Sequence, residues 1–417
     1  MGKRFVGWLS AVCCLLWAAA PVWAADPGLQ AEIEVLKERL AKLEAQLSEG
    51  KIVPPTAGEG ASTIALPSGL QGLQMSGYVD ISYLYNFNEQ NNFGNSGRVF
   101  DTEGNGFTPH AFELVVQKPI TDELPVGFRT DLFFGDDAEI FGAPGLGTTD
   151  DEFDLQQAFI TYRAPVGNGI DLKVGKFVTL LGAEVIESKD NWNFSRSYMF
   201  GYSIPFTHTG ILSTYAWNEW LSTTFGVVNG WDVVDDTNKA KSLLGNVTLG
   251  PWNNLTLSIN PIYGAEQAND DHDQRGVIST VLSWNPMENL SVMFNWDYGR
   301  EEDAVSETGG GNASWQGYAA YAKYAFNDWY SLATRFELFN DQDAVRVAPA
   351  GRGAIAGSGH GDVRYWEWTL TNEFKINQHL IGRLEYRLDK ADADVFRQDQ
   401  GAADHMNTVA AELIFPF

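Results

Sequence analysis

The chain has 417 residues, and its 54 acidic and 28 basic side chains give a formal net charge of −26. Nucleic acids and other polyanions would repel such a chain, so we expect no nucleic-acid partner. Its two cysteines, Cys13 and Cys14, lie close to the N-terminus, which excludes disulfide scaffolds and thiolate metal sites from the remainder.

Residues 1–24 have the pattern of a secretory signal peptide. Lys3 and Arg4 precede an apolar run over 5–20, and Pro21-Val22-Trp23-Ala24 places a small residue where a signal peptidase would cut. The alternative is an uncleaved membrane span, but the apolar run is short for one and small residues follow it at once. We therefore expect export and cleavage after Ala24.

A heptad pattern follows over residues 25–49. Apolar residues recur at alternating spacings of four and three, with charged residues between them: Leu29, Ile33, Leu36, Leu40, Leu43 and Leu47. The pattern predicts a coiled-coil helix. At about three heptads it is marginal alone, so we expect self-association as a trimer; the alternative is a merely amphipathic helix. Residues 50–72, which contain Pro54, Pro55 and several glycines, predict a linker.

From residue 73 the apolar period changes to two residues. Val79, Ile81 and Tyr83 alternate with Asp80 and Ser82, which is typical of a strand with one lipid-facing and one wet face. Sixteen such segments are predicted at 73–87, 107–118, 125–135, 153–163, 169–179, 207–216, 220–230, 241–249, 254–264, 275–284, 289–299, 315–326, 329–340, 363–375, 379–390 and 405–417.

The connections between these segments alternate between short turns and long loops. This alternation predicts an all-β fold, a 16-stranded antiparallel transmembrane β-barrel over 73–417 in the bacterial outer membrane. An even strand count places both barrel ends on the short-turn side, so the coiled-coil helix is expected in the periplasm. Aromatic residues flank the short turns, as expected at a lipid interface: Trp217, Trp220, Trp252, Trp284 and Trp329.

The last segment alternates strictly, and five apolar side chains share one face: Val409, Ala411, Leu413, Phe415 and Phe417. Its aromatic end resembles that of outer-membrane barrels. The resemblance implies that the barrel-assembly machinery recognises Phe417. The alternative is an ordinary edge strand.

Charged residues occupy the strand positions out of phase with the apolar ones. Nine are predicted to line a water-filled lumen: Arg129, Asp131, Lys173, Arg335, Glu337, Glu367, Arg383, Glu385 and Arg387. Facing lipid near the midplane, Arg or Lys would cost roughly 2–4 kcal/mol each. The alternative for any one of them is a salt bridge that stiffens the wall.

The connection over 180–206 is the longest and joins strands five and six, where general porins fold a loop into the barrel. Five of its charged residues are predicted to form a constriction: Glu184, Glu187, Lys189, Asp190 and Arg196. The alternative is a loop that only covers the mouth.

Catalytic and metal-binding patterns are weak. The six histidines have no metal-ligand spacing, no Gly-x-Ser-x-Gly motif occurs, and the acidic loop at 269–273 lacks the glycine and distal glutamate of a calcium loop. We expect no metal, no cofactor and no enzymatic activity. A barrel enzyme would require a Ser and a His within hydrogen-bond reach.

Three segments resemble the OmpL-like family of β-barrel porins: GYVDISYLYNFN at 77–88, VGKFVTLLGAEVIESKDNWNFSRSYMFGYSIPFTHTG at 174–210 and Asn-Gly-Trp at 229–231. The resemblance covers about residues 73–417 and implies an outer-membrane channel, with little about its substrates. A coiled coil before a barrel is also similar to phosphate-selective porins, but their lysine-rich lumen is missing from this acidic chain.

We therefore expect passive diffusion of small hydrophilic solutes and ions, with a weak preference for cations. The alternative function is a structural tether, in which the barrel is closed by its loops and the coiled coil holds a periplasmic partner.

Overall fold

Alternating side chains from residue 74 onward form antiparallel strands that close on themselves. The structure is a computed structural model that describes residues 72–88, 94–146, 152–304, 311–347, 362–399 and 401–417. Sixteen strands form one closed barrel in which the first barrel strand pairs with the last. The prediction of a 16-stranded antiparallel barrel is confirmed, and each predicted segment overlaps one barrel strand.

The barrel strands are β1 Gln74–Asn86, β2 Gly106–Lys118, β3 Val126–Phe134, β4 Phe153–Ala164, β5 Ile170–Val178, β6 Thr207–Asn218, β7 Leu221–Val228, β8 Ser242–Trp252, β9 Leu255–Ala265, β10 Gln274–Met287, β11 Leu290–Glu301, β12 Ala313–Ala325, β13 Tyr330–Asp341, β14 Val363–Asn377, β15 Leu380–Ala391 and β18 His405–Pro416. The strands β16 Phe396–Gln398 and β17 Gly401–Ala403, which the sequence did not predict, form a separate two-stranded sheet.

Among the described residues, helical structure is confined to single turns. These are α1 Ala138–Phe141, a 3-10 turn at Ser188–Asp190 and a π-helical turn at Met199–Ser203. No helix in the described part of the chain is long and apolar enough to cross a membrane.

Apolar and polar side chains lie on opposite faces of the strands, as a period of two residues requires. In β1 the side chains of Ile81, Tyr83 and Tyr85 are exposed on the outside, whereas Asp80 and Ser82 are buried inside the barrel. The tryptophans beside the short turns are also exposed: Trp217, Trp220, Trp252, Trp284 and Trp329. An amphipathic indole ring suits the depth of the lipid headgroups.

The barrel closes where β1 meets β18. Tyr78 lies opposite Pro416 in this pairing, and Gly77 exchanges backbone hydrogen bonds of 3.0 and 2.9 Å with Phe417. A Cβ atom at Gly77 would lie 2.7 Å from the Phe417 ring and 2.1 Å from the carbonyl oxygen of Glu113. Only glycine permits this close approach of ring and backbone.

The buried core lies inside the barrel and is built around residues 179–206, called the inner loop below. Its side chains Met199, Phe200 and Phe206 pack with Phe100 and with Trp315 from β12. The barrel interior is thus partly filled by the chain's own loop.

The expected signal peptide (1–24), coiled coil (25–49) and most of the linker (50–72) lie outside the described residues. The six heptad residues from Leu29 to Leu47 belong to this part of the chain, so their association stays a prediction.

Candidate functional site

The inner loop crosses the barrel from one wall to the opposite one. It leaves the wall at β5 and returns at β6, yet its middle binds β14 and β15, which lie across the ring of strands. Asn193 Nδ2 donates to Thr371 Oγ1 at 2.7 Å, and the backbone N–H groups of Phe194 and Ser195 donate to Glu385 at 2.7 and 3.0 Å. The loop therefore divides the lumen.

A second carboxylate holds the next turn of the loop. The backbone N–H groups of Tyr198 and Met199 donate to Glu337 on β13 at 2.7 and 2.6 Å. These two adjacent hydrogen bonds fix the start of the π-helical turn against β13.

Arg335 lies two residues before Glu337, on the same inward face of β13, and joins the loop to the wall. Its Nη1 donates to Glu184 Oε1 and to the Ser195 carbonyl oxygen, both at 2.6 Å, and its Nε donates to Glu367 Oε1 at 2.5 Å. The guanidinium is fully buried. A planar group with five donors matches this set of acceptors, which an ammonium group would not.

Two further arginines on β15 bind carbonyl oxygens of the loop. Arg383 donates to the carbonyls of Ser188 and Asn191 at 2.9 and 2.7 Å, and Arg387 donates to that of Arg196 at 2.6 Å. The loop backbone thus finds partners away from water, as buried carbonyl groups require.

The surroundings of the predicted lumen residues differ from the expectation. Six of them were expected to face water but are buried beneath the inner loop: Arg335, Glu337, Glu367, Arg383, Glu385 and Arg387. For five of them the physical reason is that the loop supplies backbone donors and acceptors that replace water, whereas Glu367 is bound by Arg335 and Thr369 of the wall. Arg129 and Lys173 are half-buried, and the buried Asp131 accepts hydrogen bonds from Arg129 Nε at 2.8 and 3.0 Å.

The five predicted constriction residues fall into two groups. Glu184 and Arg196 are buried. Arg196 donates hydrogen bonds to loop carbonyls, including that of Phe194 at 2.7 Å. Glu187, Lys189 and Asp190 instead border a cavity. The structure therefore places three of the five where dissolved ions could meet them.

This cavity, of about 680 Å³, lies beside the inner loop toward the short-turn end of the barrel. Its charged lining carries both signs: Glu113, Arg129, Lys173, Glu187, Lys189 and Asp190. Lys189 donates to Asp190 at 2.5 Å, and Lys173 Nζ lies 4.4 Å from the ring centre of Phe159. Such a space can hold water and ions but favours neither sign strongly.

An uncharged polar patch lines the wall formed by β6 to β9, and sequence reasoning missed it. Thr214 and Thr224 are joined by a 2.8 Å hydrogen bond, and Asn246 donates to Ser258 at 2.8 Å. These side chains are only partly buried. Their alternation with apolar residues is visible in the sequence, but uncharged polar side chains mark a water-facing surface less clearly than charged ones do.

Ser82, His110 and Asp137 form a hydrogen-bonded series that sequence reasoning also missed. Ser82 Oγ lies 2.7 Å from His110 Nε2, and His110 Nδ1 lies 2.8 Å from Asp137 Oδ1. The order matches that of a nucleophile, a base and an orienting acid. All three are at least 97% buried, and the Phe194 ring packs 5.4 Å from the imidazole.

Because the Ser82 hydroxyl is covered, a substrate has no access to it in this arrangement. Burial also raises the pKa of the Asp137 carboxyl. The series links β1, β2 and the loop after β3, so its evident contribution is structural.

Comparison with known proteins gives a family and a fold. Residues 72–417 match the family model described as "Putative beta-barrel porin-2, OmpL-like". No curated protein sequence matches the chain.

Several solved structures share the fold. The anion-selective porin from Comamonas acidovorans has a TM-score of 0.56 at 11% identity and covers 83% of this chain and 99% of its own. The outer membrane channel DcaP of Acinetobacter baumannii has a TM-score of 0.55 at 12% identity, with coverages of 83% and 97%. The trimer form of OmpT from Vibrio cholerae has a TM-score of 0.51 at 9% identity, with coverages of 83% and 99%.

Identities this low show the shared fold alone, whereas the family match spans the whole barrel. The closed barrel, the inner loop and the family match together identify the chain as a member of the OmpL-like beta-barrel porin-2 family, a porin-type outer-membrane β-barrel channel.

Proposed function

We propose that the protein lets small hydrophilic solutes and ions diffuse passively across the outer membrane, with the inner loop as its constriction. The observation that carries this proposal is the position of the loop inside the barrel, beside a charged cavity of about 680 Å³. A loop that narrows the lumen and presents charges to it can select by radius and by electric field.

A weak preference for cations is the selectivity we propose. The cavity itself is nearly balanced, because three acidic and three basic side chains line it. The long-loop end adds accessible carboxylates at Asp270, Asp271 and Asp273. The backbone N–H groups of Asp273 and His272 lower the pKa of the Asp270 carboxyl, which keeps it charged. Such a mouth raises the local concentration of cations.

The structural neighbour from Comamonas acidovorans is described as anion-selective. At 11% identity that similarity extends to the fold and not to the charges of the lumen. We therefore base the proposed cation preference on the net negative charge of this chain.

Single-channel recording in planar bilayers with a salt gradient tests the proposal. We expect steady conductance and a small reversal potential of the cation-favouring sign. Asp190→Lys should shift that potential toward anions because this exposed side chain borders the cavity. The control is Glu288→Lys, in a short turn outside the lining. A folded barrel that does not conduct would contradict the diffusion function.

A second candidate function is the tether with a closed barrel. The burial of Phe194, Ser195 and Tyr198 at the centre of the inner loop favours it, because these residues block part of the lumen. The same recording separates the two functions, since a tether requires no conductance.

We further propose that residues 1–24 are removed on export, that the helix over 25–49 lies in the periplasm and that the protein is a trimer. The trimer form of Vibrio cholerae OmpT supports the last point by analogy of fold. Outer-membrane lipid surrounds the barrel, and Phe417 is the residue we propose the barrel-assembly machinery recognises. We propose no cofactor, no nucleic-acid partner and no catalytic function.

A further inference from the structure

Three carboxylates from separate parts of the chain meet where the inner loop touches the barrel wall. They are Glu113 on β2, Asp131 on β3 and Glu187 in the inner loop. One oxygen from each lies within 4.8 Å of the oxygens of the other two. No local sequence motif joins these positions, so only the folded chain brings them together.

Glu113 lacks direct compensation for its charge. Its side chain is 1% exposed, and its Oε1 atom has no hydrogen-bond partner among the described residues. Burying a carboxylate oxygen without a donor or a cation costs free energy, so such an atom in a folded protein calls for a ligand. The orphaned oxygen belongs to the carboxylate that faces Asp131 and Glu187.

The polar side chains around the cluster donate hydrogen bonds to atoms other than Glu113 Oε1. Arg129 donates to Asp131, and Gln157 donates to the same carboxylate at 2.5 Å. Gln156 donates to Glu187 Oε1 at 2.8 Å. Lys189 donates to Asp190 instead. Lys189 and Arg129 oppose the charge of Glu113, but neither donates a hydrogen bond to its Oε1 atom.

Spacing and chemistry favour calcium among the common divalent cations. Calcium takes carboxylate oxygens at about 2.3–2.6 Å, so oxygens on opposite sides of the ion lie up to about 5 Å apart, and it tolerates irregular geometry. Magnesium demands a smaller, near-ideal octahedron. Glu113 and Glu187 also border the 680 Å³ cavity, which provides a path for the ion and space for water ligands.

We propose that Glu113, Asp131 and Glu187 form a calcium site that fastens the inner loop to the wall at β2 and β3. The ion bridges one loop residue and two wall residues. Its occupancy therefore sets how firmly this end of the loop is held. The site is independent of whether the channel prefers cations or anions.

Calcium binding to the full mature chain in detergent micelles tests this proposal. After treatment with EDTA, the protein is titrated with CaCl2 alone in a calorimeter near neutral pH. We expect one saturable site per chain. Glu187→Gln should weaken binding about tenfold or more, because it removes a charged ligand and keeps a side chain of the same shape that Gln156 can still contact.

The matched control is Glu123→Gln, in the exposed turn between the same two strands, β2 and β3, but outside both the cluster and the cavity lining. Its affinity should equal that of the wild type. Equal weakening in both variants would indicate a diffuse acidic surface and overturn the site. Absence of saturable binding to the wild type would overturn it as well, and would leave a shared proton as the compensation of the carboxylates.

Glu113→Gln provides a second test, with folding checked by the heat-modifiable mobility of the barrel on gels. A folded Glu113→Gln barrel should bind calcium at least as poorly as Glu187→Gln, and wild-type affinity there would contradict the assignment. A parallel titration with MgCl2 should give weaker binding. Equal or tighter magnesium binding would reject calcium as the ligand.

Discussion

At the scale of single residues, burial decides how much a charged pair matters in this protein. Arg335 is fully buried and holds Glu184 and Glu367. Arg163 holds Asp171 at 2.7 Å, but both side chains of this pair are more than one-third exposed. Breaking a buried pair leaves a charge without compensation, whereas water replaces the lost partner at the surface.

We therefore predict that Arg335→Met destabilises the barrel by about 3–5 kcal/mol, because the buried Glu184 loses its cation and Glu367 keeps only the more distant Arg387 at 3.7 Å. Arg163→Met is the matched control and should leave stability nearly unchanged. Urea unfolding in lipid vesicles, followed by tryptophan fluorescence, measures both. Equal stabilities for the two variants would mean that the Arg335 network adds nothing to the fold.

The sequence predicted the inward direction of these side chains, because the strand period is two and charges avoid lipid. It did not predict that Arg335 and Arg387 lie under a loop. Their loop partners include the backbone carbonyls of Ser195 and Arg196, groups that every residue carries and that no sequence pattern marks.

At the scale of elements, the inner loop depends on a few carboxylates that accept its backbone N–H groups. Glu385 takes two from Phe194 and Ser195, and also accepts the Thr371 hydroxyl at 2.7 Å. Glu337 takes two more from the following residues. Because these acceptors lie on the wall opposite β5, they determine how far the loop extends across the lumen.

We predict that the double variant Glu337→Ala/Glu385→Ala releases the middle of the loop while the barrel stays closed. The released loop should obstruct the lumen less steadily, so single-channel recordings should show a larger mean conductance with added flicker. Glu219→Ala/Glu288→Ala, with both changes in short turns, is the control. Unchanged conductance in a folded double variant would show that the loop does not limit the passage.

The sequence predicted the positions of the strands but not the path of the inner loop. The sixteen barrel strands follow from alternation that one-sided contact with lipid enforces over many residues. The length of the 180–206 connection and its place between strands five and six correctly drew attention to it. Its path depends on contacts with β13 to β15, more than a hundred residues away, which local patterns do not encode.

At the scale of the whole molecule, charge is unevenly distributed between wall and loops. The wall arginines are compensated by wall and loop carboxylates, as the pairs of Arg335 and Arg383 show. The accessible acids Asp270, Asp271 and Asp273 lie together at the long-loop end. Part of the net negative charge of the chain therefore lies at the long-loop opening of the barrel.

We predict that replacing these three aspartates by asparagine reduces the cation preference at low salt. Asparagine keeps the acceptor that the local turn uses, as in the 2.6 Å bond from the His272 N–H to Asp270. The reversal potential in a gradient at tens of millimolar salt should move toward zero. Near 1 M salt the variant and the wild type should agree, since the Debye length falls to about 3 Å. A difference that persists at high salt would place the selectivity elsewhere.

The pairing of β1 with β18 has a consequence for the order of folding. Contacts such as Tyr78 with Pro416 are the most distant in sequence that the sheet contains, so their loop-closure entropy is the greatest. The inner loop binds β1 and the strand next to β18, because Ser188 contacts both Asp80 on β1 and Arg383 on β15. We therefore expect the inner loop to fold inward before the barrel closes. The pairing of β1 with β18 then holds the loop inside.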